Sequence, residues 1–168
     1  KTNLKIKENF KFQKFIFHPD TSENILLNYY KEKPHIAIFS ISMWNEQLSL
    51  KVSKILKKKY GTTIIFGGPS CPHIPIKYFE KYSFIDIAIR AEGEESFNQV
   101  LLRYLENKKD FSKIPNVAFR DPKSNKCIIN FEKNEFVKNL EKYPSPYLTD
   151  EYAYLFSVFH ISSFSLET

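Results

Sequence analysis

Three short segments of this 168-residue chain contain the residue types that could bind a polar ligand: residues 40–45, 67–70 and 90–96. The first reads Ser-Ile-Ser-Met-Trp-Asn. Its two hydroxyl side chains, Ser40 and Ser42, could hydrogen-bond a phosphate or a sugar, and they could equally cap a helix that begins here. The residue types are compatible with both interpretations, so both stay open.

The second segment, Gly67-Gly68-Pro69-Ser70, offers backbone more than side chains. A glycine pair permits positive φ and lets a ligand approach the main chain, although tight strand exits use such pairs as well. The glycines do not form a GxGxxG motif, and no GK[ST] follows them. The pattern therefore excludes a dinucleotide-binding fingerprint and a phosphate-binding P-loop.

The third segment clusters three carboxylates around one glycine: Glu92, Gly93, Glu94 and Glu95. Acidic side chains at the start of a helix interact favourably with its dipole. They could also accept hydrogen bonds from the hydroxyls or amides of a ligand, and the sequence does not decide between these roles. A glycoside hydrolase would use a pair of catalytic carboxylates, but no second acidic pair supports that chemistry here.

The sequence has no pattern typical of a metal site or of a nucleophilic catalyst. Its four histidines stand far apart, without an HExxH motif: His18, His35, His73 and His160. Cys71 and Cys127 are also distant from each other, and neither has a neighbouring histidine in sequence. Zinc, iron–sulfur and Cys–His sites need more ligands or closer spacing. We therefore predict no catalytic residue and no metal ligand in this chain.

Composition narrows the class of protein further. Apolar residues make up 42% of the chain, and no apolar run reaches the roughly 18 residues that a membrane span requires. Two isolated cysteines are typical of a reducing compartment, which predicts a cytoplasmic protein. The net charge is +6, but the lysines are spread along the chain. We expect a solvated basic surface and no nucleic-acid partner.

The three candidate binding segments follow predicted strands. Four apolar runs predict these strands: residues 15–17, 36–39, 63–66 and 84–89. Between them, apolar residues recur at helical spacing, as from Trp44 to Leu56, and Gly61 is placed to end that helix. The alternation predicts an α/β fold with a Rossmann-like (flavodoxin-like), doubly wound parallel sheet. Ligands of such sheets bind at the carboxyl ends of the strands.

The pattern changes near residue 115. Residues 116–120 and 126–130 are strand-like and are separated by a polar turn, which predicts a β-hairpin followed by a C-terminal extension. We expect three parts: residues 1–112 as the α/β domain, 113–134 as the hairpin, and 135–168 as a linker and the start of a further domain.

Taken in order, these segments resemble one family. A Lys-Pro-His strand leads into Ser-Ile-Ser-Met-Trp-Asn, the next strand into Gly-Gly-Pro, and an Ile-Asp strand into Arg-Ala-Glu-Gly-Glu-Glu. The Ile-Pro-Asn that heads the hairpin and a later Tyr-Pro-Ser-Pro follow. This order is similar to the amino-terminal, cobalamin-binding-type domain of cobalamin-dependent radical SAM proteins, a class of methyltransferases and cyclases of the anaerobic magnesium-protoporphyrin ester cyclase type. The resemblance covers about residues 12–168.

The resemblance implies that cobalamin is the cofactor and that its nucleotide tail lies against the loops at the strand ends. The residues implied are Ser40, Ser42, Trp44, Gly67, Gly68, Glu92, Gly93 and Glu94. The DxHxxG motif of cobalamin mutases, whose histidine ligates cobalt, has no match here, because His18 and Asp20 have the wrong order and spacing. We therefore expect no cobalt ligand from this chain.

The resemblance also implies partners for the domain. Residues 164–168 resemble the strand that leads, in the family, into the CxxxCxxC loop, and that loop is not in this sequence. We expect a 4Fe-4S cluster and S-adenosylmethionine in a radical SAM domain of the same polypeptide. This chain would then not be catalytic alone, and its parent would be a methyltransferase or an oxidoreductase/cyclase.

The beginning of the chain carries a further expectation. The family's sheet has a strand before residues 15–17, and residues 1–10 resemble the end of the helix that follows that strand. A sheet that lacks a strand exposes edges that invite pairing. We therefore expect residues 154–166, of the same chain or of a neighbouring copy, to fill the gap. A segment from a neighbouring copy would form a strand-swapped dimer.

Two other interpretations remain. The chain could be a degenerate Rossmann-like scaffold that no longer binds cobalamin and serves substrate positioning or protein interaction. It could also be a receiver-type signalling domain, but a receiver needs a phospho-accepting aspartate at the end of a central strand. The visible strand ends carry Ser, Gly and Arg instead.

Overall fold

The computed structural model describes residues 3–13, 33–72 and 75–130, together with Tyr143 and Ser145. Apart from those last two residues, everything described belongs to one compact unit, Asn3–Phe136. The predicted strand at 15–17 and the segment 154–166, predicted to fill the gap in the sheet, lie outside the described residues.

Four helices and five strands are described. In chain order they are α1 (Leu4–Asn9), β1 (Ile36–Ser40), α2 (Glu46–Tyr60), β2 (Thr63–Gly67), α3 (Pro75–Lys81), β3 (Ile87–Ile89), α4 (Glu94–Leu105), β4 (Val117–Arg120) and β5 (Cys127–Asn130). No described helix has the length and apolar character needed to cross a membrane.

The five strands form one sheet in the order β1-β2-β3-β4-β5. The first three are parallel, while β4 pairs antiparallel with β3 and β5 antiparallel with β4. The predicted α/β fold, with a Rossmann-like parallel sheet and a following β-hairpin, is therefore confirmed. The hairpin extends the same sheet, since Ala88 lies opposite Ala118 in the register.

Side chains alternate along each strand, so the strands present residues to both faces of the sheet. Helices pack on both of these faces. On one face, Phe39 and Phe66 pack in a buried cluster with residues of α2 and α3, such as Leu56 and Phe79. On the other face, strand residues such as Ile65, Ile87 and Val117 pack with Val100 of α4. Such burial on both faces explains the nearly continuous apolar runs of β2 and β3. In β1 the burial alternates, and Ile38 is 48% exposed.

The longest of the described helices, α2, ends as its sequence predicts. Gly61 adopts the left-handed conformation at φ 70°, and its N–H donates to the carbonyl of Lys57. The three consecutive lysines, 57–59, occupy the last turn, where positive charge interacts favourably with the helix dipole.

A charged contact fixes the edge of the sheet at which β2 and β3 begin. Lys57 donates to both carboxylate oxygens of Asp86, at 2.8 and 2.7 Å. The same carboxylate accepts the N–H of Ile64 at 2.8 Å, and the Asp86 N–H donates to the carbonyl of Ile64 at 3.1 Å. This contact joins α2, β2 and β3 at the edge away from the candidate binding loops.

Candidate cofactor-binding site

The structure brings the three predicted segments together at one edge of the sheet. Ser40 and Gly67 end their strands as direct partners in the β1–β2 register. A Cβ built on Gly67 would lie 3.7 Å from the carbonyl oxygen of Ile89, the last residue of β3. The carboxyl ends of parallel strands meet at the same edge, and so the loops that follow them lie side by side.

Backbone hydrogen bonds join the first loop to the second beyond the ends of the strands. The N–H of Ile41 donates to the carbonyl of Gly67 at 2.7 Å, and the N–H of Ser70 donates to the carbonyl of Ile41 at 3.0 Å. The Ile41 side chain is fully buried. The two loops therefore behave as one surface, with Ser40 and Ser70 exposed on it.

Gly68 is the residue that allows this close approach. Its φ is +91°, and a Cβ at this position would lie 2.7 Å from the nitrogen and 2.9 Å from the oxygen of Ile41. The same Cβ would lie 2.8 Å from Oγ of Ser40. Both the backbone conformation and the lack of space therefore require glycine. Gly67 differs, because only ordinary van der Waals contact would surround its Cβ.

The third loop turns sharply after β3. Ala91 has a positive φ of 54°, and the N–H of Arg90 donates to the carbonyl of Asn116 at 3.0 Å. Gly93 is the N-cap of α4, and a Cβ there would lie 3.2 Å from Cγ2 of Ile89. The turn exposes the side chains of Glu92 and Glu94.

The structure decides one of the two questions left open by the sequence. The N-cap of α2 is Asn45, so Ser40 and Ser42 precede the helix and neither serine is its N-cap. Glu94 and Glu95 lie in the first turn of α4, where their charge stabilises the helix whether or not a ligand is bound.

Two large apolar side chains project from the first loop. Met43 is 90% exposed and Trp44 is 61% exposed. Large apolar side chains at such exposure leave area that water solvates poorly and that a bound molecule can cover. Trp44 is thus placed beside the loop residues with which it was predicted to act.

Cys71 lies beneath the loops and is buried. Burial raises the pKa of its thiol to about 11, against smaller lowering effects of the Arg90 charge and of a hydrogen bond with the Ile89 backbone. The thiol is therefore protonated near neutral pH, and a protonated, buried thiol is a poor nucleophile.

A hydrogen bond between helices holds the beginning of α2. The hydroxyl of Tyr78 donates to Oε1 of Glu46 at 2.8 Å. Burial, followed by this hydrogen bond and the negative charge of Glu46, raises the pKa of Tyr78 far above its usual range. Neither residue is singled out by sequence pattern, because partners in different helices meet only after the chain has folded.

Metal-ligating residues do not gather in the described part of the chain: no three His, Cys, Asp or Glu side chains are grouped as ligands there. Both cysteines are free thiols. His18, His73 and His160 lie outside the described residues, and the prediction that this chain supplies no metal ligand stays a prediction.

Comparison with known proteins identifies relatives. No family model matches the chain. It is 30% identical over 117 residues to the cobalamin-dependent radical SAM methyltransferase TokK of Streptomyces tokunonensis. It is 27% identical over 116 residues to the 2-(S-pantetheinyl)-carbapenam-3-carboxylate methyltransferase of Streptantibioticus cattleyicolor. These matches cover 69% and 68% of the chain but only 17% of each relative.

Solved structures share the fold. The cobalamin-dependent S-adenosylmethionine radical enzyme OxsB, with aqua-cobalamin and S-adenosylmethionine bound, matches with a TM-score of 0.56 at 16% identity. The match covers 70% of this chain and 16% of OxsB. OxsB with aqua-cobalamin alone gives a TM-score of 0.55 at 17% identity.

The sequence relatives and the shared fold agree with the order of loop motifs along the chain. The predicted resemblance is confirmed: the homologues of this chain are cobalamin-dependent radical SAM methyltransferases, and the chain corresponds to a part of their length.

Proposed function

We propose that the chain is a cobalamin-binding module of a larger radical SAM enzyme, with its site on the loops after β1, β2 and β3. The observation that carries the proposal is the joined surface of these loops, built on the close contact between Gly68 and Ile41. A sequence relative described as cobalamin-dependent supports it, as does a shared fold with a structure that holds aqua-cobalamin.

The residues at this surface suit the nucleotide tail of cobalamin, which presents a phosphodiester, a ribose and a flat aromatic base. Ser40 and Ser70 are exposed and can donate hydroxyl hydrogen bonds to phosphate or ribose oxygens. Trp44 offers an exposed aromatic face for the base. Ser42, Gly67 and Gly68 complete the part of the site that carries no charge.

The third loop carries negative charge, and we therefore propose a different role for it from that of the first two loops. The phosphodiester is negative, so the carboxylates of Glu92 and Glu94 would repel it at short range. We propose that these exposed carboxylates accept hydrogen bonds from the amide N–H groups or the hydroxyls of the cofactor. Gly93 lets the backbone turn between them, since a Cβ there would crowd Ile89.

In this proposal the chain's residues bind and orient the corrinoid and perform no bond-making step. When bound, cobalamin would supply methyl-carrying chemistry to the parent enzyme. The 4Fe-4S cluster and S-adenosylmethionine belong to a radical SAM domain in cis, outside these residues. The relatives are named methyltransferases, which favours methyl transfer over an oxidoreductase or cyclase reaction for the parent. The cytoplasmic location, the domain limits and the strand-swapped dimer stay predictions.

Gel filtration with hydroxocobalamin tests the proposal. We expect the pink corrinoid to co-elute with the chain and to be lost in Gly68→Val, because a side chain there would separate the two loops. Gly61→Val is the matched control: Gly61 also has positive φ, but nothing lies within 4 Å of its Cβ position. Gly61→Val also strains the backbone, but it should still bind the cofactor.

Failure of the unaltered chain to bind would count against an autonomous module. The same measurement on a version extended at its amino terminus would then separate a site that needs more of the sheet from a scaffold without cobalamin. Equal loss of cofactor in Gly61→Val and Gly68→Val would contradict the location of the site, because instability alone would explain it.

A further inference from the structure

We propose that Asn45 is a positioning residue that fixes the first loop, residues 40–45, in the conformation that receives the corrinoid. The inference rests on the proposed function and extends it to a residue that would not touch the cofactor. Its basis is a two-point contact between the Asn45 side chain and the backbone of its own loop.

The amide of Asn45 bonds the loop at two places. Its Oδ1 accepts the N–H of Ser42 at 2.9 Å, and its Nδ2 donates to the carbonyl of Ser40 at 2.8 Å. The backbone closes the same turn, since the N–H groups of Asn45 and Glu46 both donate to the carbonyl of Ser42 at 3.1 Å. Ser42 is thus held through both its N–H and its carbonyl.

Asparagine is the residue that this arrangement requires. The contact needs a short side chain that reaches back across the turn and carries both an acceptor and a donor. The carboxamide of asparagine has both, at about the spacing that they have in a backbone amide. Aspartate has nearly the same shape and keeps the acceptor, but it would set a carboxylate oxygen against the carbonyl of Ser40. Although Asn45 is the N-cap of α2, its side chain makes no capping bond to that helix. Its hydrogen-bonding capacity is used on the loop instead.

The opposite side of the loop is held by the second loop, through the hydrogen bonds of Ile41 with Gly67 and Ser70. Met43 and Trp44 lie at the exposed outer part of a turn whose backbone is restrained from both sides. Rigid support of this kind reduces the ordering that a ligand must bring about when it binds. Without the Asn45 contact, the turn would keep only its backbone bonds, and Trp44 would sample more positions.

Tryptophan fluorescence reads this loop directly, because Trp44 is the only tryptophan of the chain. We would compare Asn45→Asp and Asn45→Ala with Gln47→Ala, a control at an exposed position two residues further along. Acrylamide quenching and fluorescence anisotropy without cofactor report loop order. Quenching of Trp44 by added hydroxocobalamin reports affinity, and thermal unfolding identifies any variant that has lost the fold.

We expect both Asn45 variants to show lower anisotropy and stronger acrylamide quenching than the unaltered chain. Their affinity for hydroxocobalamin should be about 2- to 10-fold weaker, the change that follows from losing one net hydrogen bond. Gln47→Ala should match the unaltered chain in all three measurements. If Asn45→Ala fails to fold, Asn45→Asp, which keeps the bond to Ser42, carries the test.

Unchanged anisotropy and affinity in a folded Asn45→Asp variant would overturn the inference, and so would an equal effect of Gln47→Ala. Failure of the unaltered chain to bind hydroxocobalamin would be a failure of the proposed function. In that case the anisotropy without cofactor still decides whether Asn45 fixes the loop.

Discussion

At the scale of single residues, the environment decides what a side chain can do. Cys71 and the exposed Ser40 both lie near the candidate loops, yet burial keeps the thiol protonated whereas the hydroxyl faces solvent. Gly68 shows the same dependence on surroundings, since the backbone of Ile41 excludes any side chain at that position. The sequence indicated that both glycines mattered, but only the tertiary contact distinguishes Gly68 from Gly67.

The raised pKa of Cys71 predicts a loss of stability at high pH. The folded chain holds the thiol proton up to a pKa of about 11, compared with 9.0 for an ordinary cysteine. The folded state therefore binds more protons than the unfolded state between these values, and the free energy of unfolding falls as pH rises through this window. The difference corresponds to about 2–3 kcal/mol at its upper end.

Urea unfolding at a series of pH values checks this effect. The unaltered chain should lose more stability than Cys71→Ala between about pH 9 and about pH 11. Cys127→Ala, at the less buried thiol of β5, should keep the slope that Cys71 causes. Parallel curves for the unaltered chain and Cys71→Ala would show that the thiol titrates as it does in the unfolded state.

At the scale of elements, the two edges of the parallel strands are held differently. Polar contacts of Lys57 and Asp86 hold the edge at which β2 and β3 begin. At the carboxyl edge, backbone hydrogen bonds join the first loop to the second, and Asn45 bonds the backbone of its own loop. Residues such as Ser40 and Ser70 can therefore stay exposed there while the loop backbone is fixed.

Removing the positive charge at the first of these edges should destabilise the sheet. Lys57→Met leaves the half-buried carboxylate of Asp86 with the N–H of Ile64 as a remaining partner. We expect a loss of about 1–2 kcal/mol in the free energy of unfolding, which is between the typical values for exposed and buried pairs. Lys58→Met, at the next and exposed position of α2, should change stability by less than about 0.5 kcal/mol.

Urea unfolding at neutral pH compares these two variants, and added salt should narrow the difference between them because it screens charge. The same loss in both variants would assign the effect to helix propensity or net charge. It would then give no support to a specific role for the contact with Asp86.

At the scale of the whole molecule, cofactor binding should appear as added stability. A ligand that binds only the folded state raises the free energy of unfolding by about 2.7 kcal/mol at 100 times its Kd. For a unit of this size we expect hydroxocobalamin to raise the Tm by roughly 5–15 °C.

Circular dichroism during heating measures this shift at several cofactor concentrations. Gly61→Val should keep the increase in Tm, and Gly68→Val should lose it. A Tm of the unaltered chain that does not move at saturating hydroxocobalamin would argue against a folded module that binds corrinoid.

The sequence by itself determined the α/β class, the parallel strands, the hairpin and the positions of the three candidate loops. Those features depend on periodicity, on apolar runs and on turn residues such as Gly61, all of which act over a few neighbouring positions. It also determined the family resemblance, since the loop motifs keep their order along the chain. By contrast, the side-chain contact of Asn45 and the link between Tyr78 and Glu46 could not be read from the pattern. Only the tertiary structure decided that Ile41 packs on Gly68, because that contact joins residues of different loops whose distance depends on how the sheet brings them together.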